Sequence, residues 1–236
     1  MTVTLSRRGL GPLAAAIAAA PVLVQAQTAP APAPALPGGR TITYLEIAPA
    51  SVDDVMRLLR AEVAATRADL GNEEAVLLRR IDRPHHFAIV ERWRDEAAAE
   101  AHRASARVAA FRAALAGALI APYDERPHSP LSVGAANTAP NAIVAVTHVD
   151  IIPPMREVGT ARIEKLANDS RGAPGNLRFD ALIQNSRPNH FTLVEVWADE
   201  PSLLAHAGVA HLRAFRGELL PMSGSLFDER LYRVVS

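Results

Sequence analysis

The stretch from Arg83 to Glu96 returns as Arg187 to Glu200: Phe87, Val90-Glu91, Trp93 and Asp95-Glu96 reappear as Phe191, Val194-Glu195, Trp197 and Asp199-Glu200. The offset, 187 − 83 = 104, also carries His102 onto His206, Phe111-Arg112 onto Phe215-Arg216 and Asp124-Glu125-Arg126 onto Asp228-Glu229-Arg230. Upstream it carries Pro49 onto Pro153 and Gly71-Asn72 onto Gly175-Asn176, with no gap anywhere. Chance does not hold one register across a whole module, so the chain contains an internal duplication. Two copies are too few for a solenoid, and each is long enough for a small domain.

Each copy alternates strand and helix patterns. Ile42, Tyr44 and Glu46 face one way, and Thr43, Leu45 and Ile47 the other, which predicts a strand that Pro49 stops. Ser51 is expected to cap a helix with Asp53 and Asp54 in its first turn. Val52, Val55, Met56, Leu59 and Val63 form that helix's apolar stripe, and Gly71 suits a left-handed turn after it. Ala75 to Ile81 and Phe87 to Trp93 read as a hairpin. A second helix follows Asp95-Glu96 to about Gly117, broken near Ser105, and Ile120 to Leu131 carries a fourth strand. The order is β-α-β-β-α-β, the ferredoxin-like arrangement, in an α+β chain. In the third strand Phe87, Ile89 and Trp93 share one face while Ala88 and Val90 share the other. Both faces are apolar, so both must be buried. Helices cover one. The sister sheet is the expected cover for the other, giving two antiparallel sheets packed face to face in an intrachain pseudo-dimeric α+β barrel.

The remaining sequence sets boundaries. Arg7-Arg8, an apolar run from Leu10 to Val24 and Val24-Gln25-Ala26 have the form of a cleavable signal peptide over residues 1–26. The paired arginines fit the twin-arginine route, and a periplasmic or secreted location is expected. The 15-residue apolar run is short for a bilayer, so no stable membrane insertion is expected. Residues 27–39 are Ala/Pro-rich and read as an extended tether. Domains are expected at 40–132 and 142–236, with a linker at 133–141. A formal net charge of zero gives no pull toward nucleic acid. The chain has no cysteine, which excludes thiol catalysis and disulfides.

The residues Gly71-Asn72, Phe87, Val90-Glu91-Arg92-Trp93, Asp95-Glu96, Glu100-Ala101-His102 and Phe111-Arg112 resemble the antibiotic biosynthesis monooxygenase (ABM) domain of the dimeric α+β barrel superfamily. The second copy matches at Gly175-Asn176, Phe191, Val194-Glu195-Val196-Trp197, Asp199-Glu200, Ala205-His206 and Phe215-Arg216. The resemblance covers Arg40 to Leu131 and Ala142 to Val235. It implies a pocket between sheet and helices in each module. It also implies a cofactor-free oxygenase in which a small aromatic or quinol-like substrate supplies the electrons to dioxygen. No cofactor is then needed. The intrachain pseudo-dimer is the expected assembly, with further homo-oligomerisation left open.

His102 and His206 are the acid–base candidates, because imidazole titrates near neutrality. They lie off the stripe Val108, Phe111 and Leu115 and its counterpart Leu212, Phe215 and Leu219, so they face either solvent or a pocket mouth. Trp93 and Trp197 serve either as aromatic walls for a flat substrate or as core. Glu91 and Glu195 lie on an apolar strand face and need a partner or a raised pKa. A buried ion pair with Arg112, Arg126 or their counterparts would provide one. Tyr44 becomes His148 and Arg92 becomes Val196, so if these line the pockets the two sites are not equivalent. Arg112 and Arg216 occupy the place where haem-degrading relatives carry an iron-ligating histidine, and arginine cannot ligate iron at neutral pH. Two further readings stand beside the monooxygenase: a non-catalytic binder of a small ligand, and, weakened by those arginines, a haem-degrading oxygenase.

Overall fold

The computed structural model describes residues 38–137, 139 and 141–235. The expected signal peptide, and the tether up to residue 37, lie outside the described residues. The first repeat comprises β1 (Arg40–Glu46), α1 (Val52–Thr66), β2 (Asn72–Arg80), β3 (His86–Trp93), α2 (Glu96–Arg103), α3 (Ala106–Leu115) and β4 (Asp124–Ser132). The second comprises β5 (Ile143–Asp150), α4 (Arg156–Ser170), β6 (Asn176–Gln184), β7 (His190–Trp197), α5 (Glu200–Ala207), α6 (Ala210–Leu219) and β8 (Asp228–Val234). Both are βαββαβ, as the alternation of strand and helix patterns predicts. Among the described residues, no helix is long and apolar enough to cross a membrane.

Local chemistry sets the breaks. Asp95 and Asp199 cap α2 and α5 by accepting from the N–H groups of Ala98 and Ser202 at 2.8 and 2.9 Å. Ser105 accepts from the Val108 N–H at 3.2 Å, so the second helix breaks there and restarts as α3. Ser51 is a correction. It makes no side-chain cap, because a 3-10 turn at Pro49–Ser51 runs straight into α1. Gly71 and Gly175 have φ of +84° and +77°, the left-handed geometry a turn needs here. Each is followed by a β-bulge that shifts the register, at Asn72/Glu74 and at Asn176/Arg178.

The two sheets do more than face each other. β2 pairs with β8 and β4 pairs with β6, both antiparallel, so the strands close into one barrel in the order β1-β3-β2-β8-β5-β7-β6-β4. Closure removes the sheet edges that would otherwise invite aggregation. The barrel interior holds an apolar cluster drawn from both repeats. Ile42, Leu78, Ala88 and Val90 meet Val144, Val146, Leu182, Val194, Val196 and Tyr232. On the outer face each repeat keeps its own core under its helices, around Leu59, Phe87, Ile89 and Phe111 in the first and Ile163, Phe191, Leu193 and Phe215 in the second. Full burial of one such side chain stabilises by about 2 kcal/mol.

Candidate functional site

The two faces of β3 and β7 divide the candidate residues. Glu91 and Trp93 point outward, beneath α2 and α3. Tyr44 and His148 point into the barrel, where their rings meet edge to face at 5.4 Å. Neither Tyr44 nor His148 can reach the space between sheet and helices, so they are corrected from pocket residues to barrel-interior residues. Arg126 and Arg230 hold Asp124 and Asp228 within the same strand at 2.6 Å, and their guanidinium carbons lie 5.0 and 5.2 Å from the Tyr44 ring.

Under the helices, the first repeat places Trp93, Glu91 and His102 together. Trp93 is fully buried, its Nε1 donates to Glu91 Oε2 at 3.3 Å, and its ring lies 4.7 Å from that of His102. His102 is buried rather than solvated: Nδ1 is 2.8 Å from Asp69 Oδ2, and Nε2 faces Glu91 Oε1 at 3.6 Å. The expected ion pair of Glu91 with Arg112 or Arg126 is not formed. Arg112 pairs with Glu125 instead, and Arg126 is inside the barrel. Burial, the largest cause, pushes the Glu91 carboxyl up to about 7, against the pull of the Trp93 hydrogen bond.

This first site is nearly full. Its cavity is about 10 Å³, room for about one water. Arg107 bridges Glu62 and Asp69 beside His102, and Arg103 spans Glu96 and Glu100 with its side chain 14% exposed, 3.8 Å from Glu125. None of Glu62, Asp69, Arg103 or Arg107 was singled out in the sequence.

The second repeat repeats the frame and changes the filling. Trp197 Nε1 donates to Glu195 Oε2 at 3.0 Å, and the Trp197 and His206 rings lie 4.5 Å apart. Under the same offset of 104, Glu62 becomes Leu166, Asp69 becomes Ala173, Glu100 becomes Leu204, Arg103 becomes Ala207 and Arg107 becomes His211. The ionic filling is therefore gone. A cavity of about 90 Å³ remains, walled by Leu166, Leu193, Leu203, Leu204, Leu212 and Phe227, with Glu195, His206, Arg216 and Glu229 as its polar groups. Comparing positions 104 apart outside the shared motifs would have found this difference.

Electrostatics follow from that apolar lining. Burial is the largest cause pushing the Glu195 carboxyl up to about 8; Glu229 adds to it, while Trp197 and Arg216 oppose it. Burial, with His211 and Arg216 nearby, pulls His206 down to about 4. The premise that His206 titrates near neutrality is thus overturned by its desolvation. The buried carboxyl is the group whose proton affinity suits work near neutral pH.

The family model described as antibiotic biosynthesis monooxygenase matches residues 40–114 and 142–218. The chain belongs to the ABM family. Both matched segments are its two repeats, so this is a tandem ABM protein whose paired modules share one barrel. Among curated proteins it is 28% identical over 81 residues to "Putative monooxygenase YcnE" of Bacillus subtilis (strain 168), covering 34% of this chain and 85% of that protein. Among solved structures it is similar in fold to a "Putative monooxygenase" from Fusobacterium nucleatum (TM-score 0.75, 14% identity, 85% of this chain and 93% of that one). A second, titled an anthrone oxidase-like protein, gives a TM-score of 0.67 at 11% identity, with 84% and 92% covered. At these identities the structural likeness speaks for the fold alone.

Proposed function

We propose that this ABM protein is an exported, cofactor-independent monooxygenase whose working pocket is in the second repeat, and that it oxidises a small single-ring phenol or hydroquinone with dioxygen. One observation carries the reading: an apolar cavity of about 90 Å³ that holds a buried carboxyl and a neutral imidazole. That space is smaller than the roughly 150 Å³ that encloses a benzene, so a single ring would sit partly in the open mouth between the leucines and Phe227. Family membership and the printed name of the Bacillus subtilis relative support the reaction type.

The chemistry needs few protein parts. A ring hydroxyl gives up its proton, and the electron-rich ring reduces dioxygen. One oxygen atom enters at a ring C–H and the other leaves as water, so a phenol and O₂ give a quinone and H₂O. Glu195, ionised in about a tenth of molecules at pH 7, is the base. Trp197 fixes one of its oxygens and leaves the other to the substrate. The hydrocarbon walls around Glu195 limit water at the reactive centre, while the mouth of the pocket opens at exposed Leu204 and Phe227.

Oxygen uptake by the mature chain across a panel of hydroquinones and phenols tests this. Glu195→Gln is expected to lower turnover roughly 100-fold. Uptake rising with pH toward about 8 in the wild type is the second signature. A Glu195→Gln rate equal to the wild type ends the assignment. A ligand-dependent thermal shift with no oxygen consumed would favour the non-catalytic binder instead.

A further inference from the structure

Three donor and acceptor atoms meet behind the second pocket. His206 Nε2 is 3.0 Å from Ser170 Oγ, His211 Nε2 is 3.2 Å from the same oxygen, and the two imidazole nitrogens are 3.3 Å apart. His206 lines the cavity and is buried, while His211 is half-buried, on the opposite side of the triangle. His206 Nδ1 makes no hydrogen bond among the described residues, so it is the ring nitrogen available to an occupant of the cavity. The charged and titratable groups facing His206 are Glu195 from β7, Glu229 from β8, and His211 and Arg216 from α6.

We propose that His206, Ser170 and His211 form a proton outlet that carries the substrate's hydroxyl proton from the buried floor of the pocket, where Glu195 and His206 lie, to solvent behind it. The proposal rests on the reading of the second pocket as the working site. An imidazole that gains a proton at Nδ1 while shedding one from Nε2 passes charge without standing as an imidazolium. That suits His206, whose surroundings disfavour its charged form. Glu195 takes the proton from the substrate. His206 relays it through Ser170 Oγ or directly to His211, and His211 releases it to water. No bond other than those to hydrogen changes, and no further reactant is needed. His211 itself is a positioning and relay residue, since it does not line the cavity.

The first repeat lacks the device. The counterparts of Ser170 and His211 are Thr66 and Arg107. Arginine does not give up a proton near neutral pH. There His102 turns Nδ1 to Asp69 and stays anchored in an ionic network rather than a neutral one. The outlet therefore occurs only beside the cavity that has room for an occupant.

The test uses the full chain, His211→Ala and His211→Arg. Binding of 4-nitrophenol, followed by calorimetry, reads the pocket. Oxygen uptake with the hydroquinone that turns over reads the reaction, as a pH profile with and without added imidazole. The expected result is unchanged 4-nitrophenol affinity with uptake slowed roughly 100-fold in both variants. Free imidazole should restore it in His211→Ala, where a space is left, and not in His211→Arg. Uptake at the wild-type rate in His211→Ala, with binding intact, overturns the outlet and leaves the pocket reading standing. A loss that imidazole does not restore also overturns it, since that marks a structural role. A wild-type chain that neither binds 4-nitrophenol nor consumes oxygen removes the pocket reading, and the outlet falls with it.

Discussion

Glu195→Gln should make the protein more stable at alkaline pH, and by a calculable amount. The carboxyl is 6% exposed and is held up from its ordinary 4.5 to about 8. Below pH 4.5 the folded and unfolded chains both hold its proton, and the group contributes no pH dependence. Above that, the unfolded chain releases the proton while the folded chain keeps it. Stability therefore falls as pH rises, by about 1.4 kcal/mol per pH unit, until the folded group ionises near 8. His206 works the other way. It is held down from 6.5 to about 4, so its contribution rises with pH in that range and is complete at 6.5. The clean window is thus pH 6.5 to 8, where the Glu195 effect amounts to about 2 kcal/mol. Glutamine is neutral, nearly isosteric, and still accepts from Trp197 Nε1. Urea unfolding of both proteins at the two ends of the window, followed by tryptophan fluorescence, measures the difference directly. The gap between variant and wild type should widen by about 2 kcal/mol on going to the alkaline end. Parallel behaviour of the two proteins would mean that the carboxyl is solvated, and the desolvation argument for the pocket would be wrong.

Two further substitutions separate the ionic and the interlocking parts of the structure. Arg107→Ala leaves Glu62 and Asp69 without their shared cation beside His102. It should cost about 2 kcal/mol in chemical denaturation, less than a fully buried pair because Arg107 is one-third exposed. Glu74→Arg sets a second guanidinium against Arg178, whose side chain is 4% exposed, and should cost about 3 kcal/mol or more, whereas Glu74→Gln should cost about 1 kcal/mol. Equal losses for Gln and Arg at position 74 would show that charge is not what matters there.

The fold was largely legible because strand alternation and a fixed offset are both arithmetic. Phe87, Ile89 and Trp93 are outward and Ala88 and Val90 inward, as their parity requires. What parity could not supply was closure of the edges, since β2–β8 and β4–β6 pairing is made by backbone groups that every residue carries. The site was legible in its frame and not in its filling. Glu91, Glu195 and the two tryptophans stand out as polar or aromatic residues on apolar strands. Assigning Arg126 to Glu91 failed because Asp124 and Arg126 face into the barrel while Glu125, between them, faces the helices. Tyr44 follows the same rule: alternation fixes its face only relative to its own strand, and register decides which face is inside. His206 departs from the solution behaviour of imidazole because its burial, which the sequence does not encode locally, disfavours the charged form.

One pattern ties the filled first site to the open second one. Glu74 meets Arg178 at 2.8 Å, and 178 − 74 = 104, the repeat offset. Tyr44 meets His148, and 148 − 44 is again 104. A residue that touches its own repeat counterpart lies on the pseudo-twofold axis of the barrel, where in a dimer of identical modules it would meet itself. Two copies of the first repeat would there set glutamate against glutamate, and two copies of the second would set arginine against arginine beside Asp180. Covalent linkage has let these positions diverge into an opposite-charge pair, so each repeat now fits the other better than it fits itself. The first repeat supplies Ile42, Leu78, Ala88 and Val90 to the shared interior and closes both seams of the sheet. It therefore packs against the inward face of β7, through Val194 and Val196, on the strand whose other face carries Glu195 and Trp197. That shared packing accounts for a chain that keeps two ABM modules while leaving open space in one.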